Sequence, residues 1–440
     1  RLKIWCPLGR IGSTPITAIF SDILAEYDVR ILASFFLFKL HEMLVNFIIS
    51  LYGGILMNIG LFSDTYFPQI SGVATSIKTL KEALEQQGHS VFIFTTTDPH
   101  VDKNIVEPNI FRVASVPFVS FTDRRVAFRG LFQVAKIANE VKLDIVHTQT
   151  EFSMGLIGKY VAYSLKIPSV HTYHTMYEDY LHYVLNGHLL KPYHVKQFTK
   201  AYLYHMNGVI APSRRVEDTL LRYGVKTPIR VIPTGVDIKG INAAPVCDVR
   251  KQLGLSSSDY VILTLSRIAA EKKINRILDC LAILVDEFPN LKLVIAGDGP
   301  DVGPLKDQVL RLNLEKYVIF SGNVDHSNVA NFYRMADLFV SASDTETQGL
   351  TYIESLSVGT PCVVYNTDYT RNIFDSSSLG SVFDTKQEMY DLIRSYILRT
   401  PNKEDDSIFQ KKLSEISAET FAKNVAEFYD DVIMQYKRIK

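Results

Sequence analysis

The chain has 440 residues, 47% of them hydrophobic and 21% charged, which is enough apolar side chain for two or three domains with separate cores and excludes a disordered or fibrous protein. Lys and Arg number 47 against 47 Asp and Glu, and the balance is uneven: residues 57–240 carry 20 against 15, residues 241–440 carry 22 against 28. A basic half facing anions is expected, with no nucleic-acid partner. Four cysteines, Cys6, Cys247, Cys280 and Cys362, form no Cys-x-x-Cys pair, so a zinc site or disulfide framework is not expected and a reducing compartment is the default.

Residues 1–56 differ from the rest. The run from Ile31 to Tyr52 is apolar but carries Lys39, His41 and Glu42, which argues against a spanning helix, and no small-residue cleavage site follows it. Met57 opens a natural first strand. The expectation is therefore a translated upstream extension over 1–56, outside the fold, with a functional start at Met57; a membrane anchor is the alternative.

From Met57 short apolar runs alternate with amphipathic stretches. Strands are predicted at Asn58–Phe62, Ser90–Thr95, Ile110–Val113, Ile145–Thr148, Ser169–Thr172, Val209–Ala211 and Ile229–Ile232, with a helix over Val73–Gln87 that Gly88 ends. Pro233–Asp237 is turn-rich and reads as a boundary and hinge. The rhythm then restarts, with strands at Val261–Leu265, Leu293–Ala296, Val318–Ser321, Leu338–Ser341 and Pro361–Tyr365, and Phe421, Val425, Phe428, Val432 and Tyr436 repeat at helical spacing in a last helix. The fold class is α/β, two doubly wound domains facing a central cleft: residues 57–235, residues 236–417, and a helix over 418–440 returning to the first domain. Ligands bind such sheets at the carboxyl ends of the strands.

Glu346 and Glu354 flank Gly349 where a loop after a strand opens a helix. Bare N–H groups at a helix start favour phosphate, a carboxylate two turns into the helix can accept both hydroxyls of a ribose, and one on the loop reaches the group beyond the phosphates. Such an assembly suits a sugar nucleotide. Arg267, Glu271 and Lys272 follow the first strand of the second domain, Ser71 and Gly72 precede a helix in the first, and His174 follows a strand.

Together these residues resemble the large retaining glycosyltransferase family of the two-Rossmann-domain, GT-B type, whose signature is a Glu-x7-Glu pair; Ser266 stands where that family usually has glycine. The runs 62–68, 144–151, 171–179 and 345–351 are similar to those of bacterial diacylglycerol glucosyltransferases. The resemblance implies UDP-glucose as donor, 1,2-diacylglycerol as acceptor, and a peripheral enzyme on the cytoplasmic face of the membrane. It implies Arg267 and Lys272 as a clamp on the leaving diphosphate, Glu346 and His174 beside the reacting sugar, with the histidine often donating to a hydroxyl, Glu354 on the ribose, and further donor contacts at Gly72, Val324, Gly349 and Leu350. No tightly bound cofactor is expected. No Asp-x-Asp occurs, and no obligatory metal is expected, since two cations and a helix start can supply the positive charge. His171 is read as packing and His147 as a second cleft residue.

Within the same class, a soluble or polysaccharide acceptor is the alternative. A dinucleotide oxidoreductase would need Gly-x-Gly-x-x-Gly after a first strand, which neither half has, and a non-catalytic sugar-nucleotide binder would not need Glu346 and Lys272. For docking on an anionic membrane surface, residues 118–132 interleave aromatics with arginines: if helical, Phe121, Phe128 and Phe132 share a face flanked by Arg124, Arg125 and Arg129, and Lys191, Lys196 and Lys200 extend the patch.

Overall fold

Two parallel sheets account for most of the chain. The computed structural model describes residues 56–439 apart from 70, 100, 102–106, 119–120, 128, 179–190, 347 and 400–405, so the expectation for residues 1–55 lies outside the described residues. The first half contains β1 (Asn58–Ser63), β2 (Ser90–Thr96), β3 (Ile110–Val113), β4 (Ser115–Phe118), β5 (Phe121–Ala127), β6 (Ile145–Thr148), β7 (Ser169–Thr172), β8 (Gly208–Ala211) and β9 (Ile229–Val231). Seven of these form one sheet in the order β3-β2-β1-β6-β7-β8-β9, with every neighbouring pair parallel. The second half contains β10 (Tyr260–Leu265), β11 (Leu291–Ala296), β12 (Val318–Gly322), β13 (Leu338–Ser341), β14 (Cys362–Tyr365) and β15 (Gly380–Phe383), ordered β12-β11-β10-β13-β14-β15 and again parallel. In each sheet the strand order reverses beside the first strand, between β1 and β6 and between β10 and β13. Loops diverge at such a point and open a crevice at the carboxyl edge.

Both faces of each sheet are covered, which is why the strands are apolar runs rather than alternating patterns. Helix Ile274–Glu287 buries Ile274, Ile277, Leu278, Leu281, Leu284 and Val285, a stripe at three- and four-residue spacing, against Ile262, Leu293 and Val340. On the opposite face Tyr333, Tyr352 and Ile353 pack against Leu263, Phe339 and Val364.

The last helix, Ala418–Ile439, leaves the second domain and completes the core of the first. Phe421, Val425, Phe428, Tyr429 and Val432 join Met57, Ile59, Leu61, Ile77 and Ile210 in one cluster. The chain therefore passes between the domains twice, and the two crossings touch. Val236 N donates to Ile416 O and Ala418 N to Val236 O, each at 2.9 Å. A Cβ on Gly235 would stand 2.3 Å from Ser417 O, so this approach requires glycine.

One expectation is overturned. Residues 118–132 are not a helix: β4 and β5 pair antiparallel, with Ser115 opposite Ala127 and Pro117 opposite Arg125, and a helix begins only at Leu131 (Leu131–Glu140). Gly130, left-handed at φ 102, stops that helix from extending backwards over Arg129. Phe121, Arg124 and Arg125 therefore lie on a strand, Phe128 is outside the described residues, and no shared helical face with Phe132 exists. The Arg125 guanidinium donates to Ser115 O at 2.7 Å and Oγ at 2.9 Å instead of reaching outward. No helix among the described residues is long and apolar enough to cross a membrane.

Candidate active site

Loops from the carboxyl ends of β10 and β13 bring opposite charges together. After β10 a single 3-10 turn, Ala270–Lys272, ends at Lys273, whose left-handed backbone (φ 51) turns the chain. Lys272 Nζ is ion-paired with Glu346 Oε1, and Lys273 Nζ with Asp344 Oδ2. The four side chains are between 18% and 30% exposed, shielded enough to matter electrostatically yet reachable from solvent. Arg267 is exposed two residues past the end of β10.

Gly349 sits at φ 70 ahead of helix Leu350–Ser357, and a Cβ there would lie 2.5 Å from the Tyr352 ring. Only glycine can make this sharp entry into a helix whose start has no side-chain cap. Glu354, half-buried on that helix, accepts from Tyr333 Oη at 2.9 Å, and burial raises its carboxyl above the usual range. Val324, after β12, and Leu350 are partly buried against the core below. Arg267, Lys272, Val324, Glu346, Gly349, Leu350 and Glu354 thus all lie beyond the carboxyl edge of the second sheet.

On the first sheet, the loop after β1 ends at Ser71, whose Oγ accepts from Ala74 N at 3.1 Å to cap helix Gly72–Gln86. A Cβ on Gly72 would meet no protein atom within 4 Å, so neither packing nor backbone conformation requires this glycine. His174 follows β7 and is held by a side-chain chain behind it. The Gln149 carboxamide lies between two rings, its Oε1 2.7 Å from His174 Nε2 and its Nε2 3.2 Å from His147 Nδ1. The amide N–H donates, so His147 Nδ1 accepts, from Gln149 and from Tyr429 Oη at 2.6 Å, while its Nε2 faces Thr172 Oγ1 at 2.7 Å. His174 Nε2–H then donates to Gln149, and the remaining ring nitrogen, Nδ1, can only accept. Burial and the neighbouring His171 push the His174 pKa down to about 3, so the ring is neutral.

His147 does not line the cleft. Fully buried between the sheet and the last helix, it joins Tyr429 to Gln149, and burial holds its pKa well below the ordinary value of 6.5. His171 is also buried, with Thr148 Oγ1 at 2.8 Å on Nδ1 and Glu151 Oε1 at 3.2 Å on Nε2. The His147 ring has a thermodynamic consequence. An imidazole that stays neutral when folded but binds a proton when unfolded makes stability rise with pH through 6.5. The advantage of the native chain over His147→Asn in urea midpoint is expected to be larger near pH 7 than near pH 5; an equal gap at both would remove His147 from the linkage.

Three contributors escaped the sequence reading. Arg215, on helix Arg214–Tyr223 of the first domain, reaches across to the backbone oxygens of Asp344 (3.3 Å) and Glu346 (3.5 Å). With Ser213 and Glu346, and with Thr367, Asp368, Tyr369 and Arg371 beyond β14, it lines an interdomain cavity of ≈ 260 Å³. Its only signal was a pair of arginines just past a strand. Gln348, inside the Glu-x7-Glu segment, accepts from Thr234 N at 2.8 Å and donates to Thr234 O at 2.6 Å, tying the loop that carries Glu346 to the domain crossing. Gln149 is the third. Among the described residues no three His, Cys, Asp or Glu side chains are grouped to hold a metal ion.

Comparison with known proteins agrees with this fold. Residues 70–239 match the family model of Glycosyltransferase Family 4, and residues 248–412 that of Glycosyl transferases group 1. Over 383 residues the chain is 46% identical to alpha-monoglucosyldiacylglycerol synthase of Streptococcus pneumoniae (strain ATCC BAA-255 / R6), covering 86% of each chain. It is 33% identical to the Acholeplasma laidlawii protein of the same name, covering 84% of this chain and 94% of that one. Among solved structures, Anabaena Alr3699/HepE with UDP matches at TM-score 0.66 and 18% identity, over 85% of this chain and 100% of that one. The same protein with UDP-glucose matches at 0.59 and 18%, over 87% and 100%. At such identity the likeness concerns the fold.

Proposed function

The chain belongs to the retaining glycosyltransferases of the GT-B type, and from that membership we propose that it moves glucose from UDP-glucose to 1,2-diacylglycerol, as a peripheral enzyme at the cytoplasmic face of the membrane. The observation that carries the acceptor is the 46% identity, over nearly the whole described chain, to a protein named for that product. The donor is supported by cations and carboxylates at facing strand ends and by the fold shared with a protein crystallised with UDP-glucose.

In this reading the diphosphate lies across the crevice, near Lys272 and Arg267 on one side and the start of helix Gly72–Gln86 on the other. The bond from the anomeric carbon to the phosphate oxygen breaks while the acceptor hydroxyl oxygen bonds to the same face of that carbon. The hydroxyl proton passes to the departing phosphate, so no separate base is demanded. Negative charge grows on the leaving group, and Arg267 and Lys272 stabilise it. A diphosphate approaching Lys272 competes with Glu346 for the ammonium, and Glu346 becomes available to the sugar hydroxyls and the positive ring. His174 Nδ1 accepts from a sugar hydroxyl, and Glu354 accepts from the ribose once ionised. Val324, Gly349 and Leu350 shape the nucleotide side.

The test presents radiolabelled UDP-glucose, UDP-galactose and GDP-mannose in turn, with diacylglycerol in detergent micelles. Label is expected in a monoglucosyl lipid from UDP-glucose, with the α configuration. Transfer from GDP-mannose alone would overturn the donor, and label that never enters the lipid phase would overturn the acceptor.

A further inference from the structure

His174 ends a chain of hydrogen bonds that closes in two self-consistent ways. In one, the Gln149 amide N–H donates to His147 Nδ1 at 3.2 Å and its carbonyl oxygen accepts from His174 Nε2–H at 2.7 Å, so His174 Nδ1 is bare. In the other the amide is turned over, donors and acceptors along the chain are exchanged, and His174 carries its proton on Nδ1. The two differ in neither charge nor ring position. Which of them holds decides whether His174 can accept from a hydroxyl or must donate to one. A ring's tautomer is set by what its other nitrogen meets, so the selecting group lies at the far end of the chain.

Tyr429 stands there, on the last helix and 282 residues on from His147. Its hydroxyl is 2.6 Å from His147 Nδ1, it is wholly buried, and it has no other hydrogen-bond partner among the described residues. Burial also keeps the phenol protonated. A phenol is a strong donor and a weak acceptor, because its oxygen shares a lone pair with the ring. The aliphatic hydroxyl of Thr172, 2.7 Å from His147 Nε2, accepts well. His147 therefore carries its proton on Nε2, toward Thr172, and Nδ1 receives both Tyr429 O–H and Gln149 N–H. The reverse would strand the Tyr429 proton at a position closed to solvent, where an unmade hydrogen bond is most costly.

The last helix is held so that the phenol meets this nitrogen. Arg230 on β9 pairs with Asp431 Oδ2 at 2.6 Å and lies over the Phe428 ring at 4.8 Å. Gly208 on β8 admits that ring, since a Cβ there would stand 2.6 Å from it. Phe428 and Asp431 flank Tyr429 along the helix, so these contacts fix its rotation against the sheet.

We propose that Tyr429 is a positioning residue: acting through His147 and Gln149, it fixes His174 as the Nε2–H tautomer and so presents a bare Nδ1 to a donating hydroxyl of the sugar. This rests on the reading that His174 faces the sugar, but the tautomer is measured apart from transfer.

The test is nitrogen-15 NMR of the full chain with labelled histidine, where bare and protonated ring nitrogens give separate signals, joined to steady-state kinetics. Signals are assigned by their loss in His147→Asn and His174→Asn. The native protein should show both rings protonated at Nε2. Tyr429→Phe keeps the ring and removes only the hydroxyl; the His174 tautomer ratio should move toward Nδ1–H by about tenfold, the scale of one net hydrogen bond, and kcat/KM for UDP-glucose should fall about two- to tenfold. Gln149→Leu cuts the chain, so adding Tyr429→Phe to it should cost no further kcat/KM, whereas a merely structural tyrosine would cost the same factor in either background. A native His174 protonated at Nδ1, which needs no variant to fold, would overturn the proposal. So would an unchanged His174 tautomer in Tyr429→Phe, or equal losses in the two backgrounds. A shifted tautomer with native kcat/KM would instead remove His174 from the proposed function and leave its control by Tyr429 standing.

Discussion

Lys272→Ala is expected to lower kcat by roughly two to three orders of magnitude, the scale for removing one preorganised charge from a developing anion. The change leaves the fold intact, because the Lys272–Glu346 pair is partly exposed and pairs of that kind contribute little to stability. Glu346→Gln should be comparably slow for a different reason, since the amide cannot offset positive charge on the sugar ring. Because each residue is the other's partner, the double variant should be less impaired than the two losses multiplied, the signature of coupled groups. Steady-state kinetics on the three variants, with circular dichroism as a fold control, provide the measurement. Near-native turnover by Lys272→Ala would exclude the lysine from the mechanism.

Gln348→Ala should be the most damaging change that touches no substrate. Its amide satisfies both the N–H and the carbonyl of Thr234, which are buried at the domain crossing. Stranding them costs about 1–3 kcal/mol of stability. The loop that carries Glu346 also loses its tether to the first domain, and a loosened catalytic loop is expected to lower kcat about tenfold. Gln348→Glu keeps the acceptor and loses the donor, so it should fall between. A urea titration gives the first number and turnover the second. An alanine variant with native midpoint and native turnover would sink the idea that this residue couples the loop to the crossing.

Most strands were legible because each is a short apolar run between turn residues, and burial on both sheet faces leaves no other reading for Ile145–Thr148 or Leu338–Ser341. The Glu346–Glu354 spacing was legible for the same local reason: a strand, a glycine and a helix within a few residues. The β4–β5 hairpin was not. The run 118–132 interleaves aromatics with arginines, and such a run fits a helical stripe as well as a strand until the partner of Phe121–Ala127, Ser115–Phe118, is known. Pairings across long stretches of chain were also beyond reach. Nothing near Thr234 announces Gln348, 114 residues on, and nothing near His147 announces Tyr429, 282 residues on. These contacts depend on how the sheets and the last helix stack, which no local pattern encodes.

The route of the last helix bears on how the chain is made. Strand β1 is among the earliest described segments to leave the ribosome, yet the cluster that buries Ile59 and Leu61 also takes in Phe421, Val425, Phe428, Tyr429 and Val432. Until those residues emerge, the first domain displays an unsealed apolar face, and the second domain, whose principal clusters are assembled from residues 236–416, can fold ahead of it. Domains usually mature in the order of synthesis; here the cluster composition predicts the reverse. Contacts of such long sequence separation also form slowly. Nascent chains stalled before residue 418 should therefore recruit chaperones through the amino-terminal half, and emergence of the helix Ala418–Ile439 becomes the step that closes it.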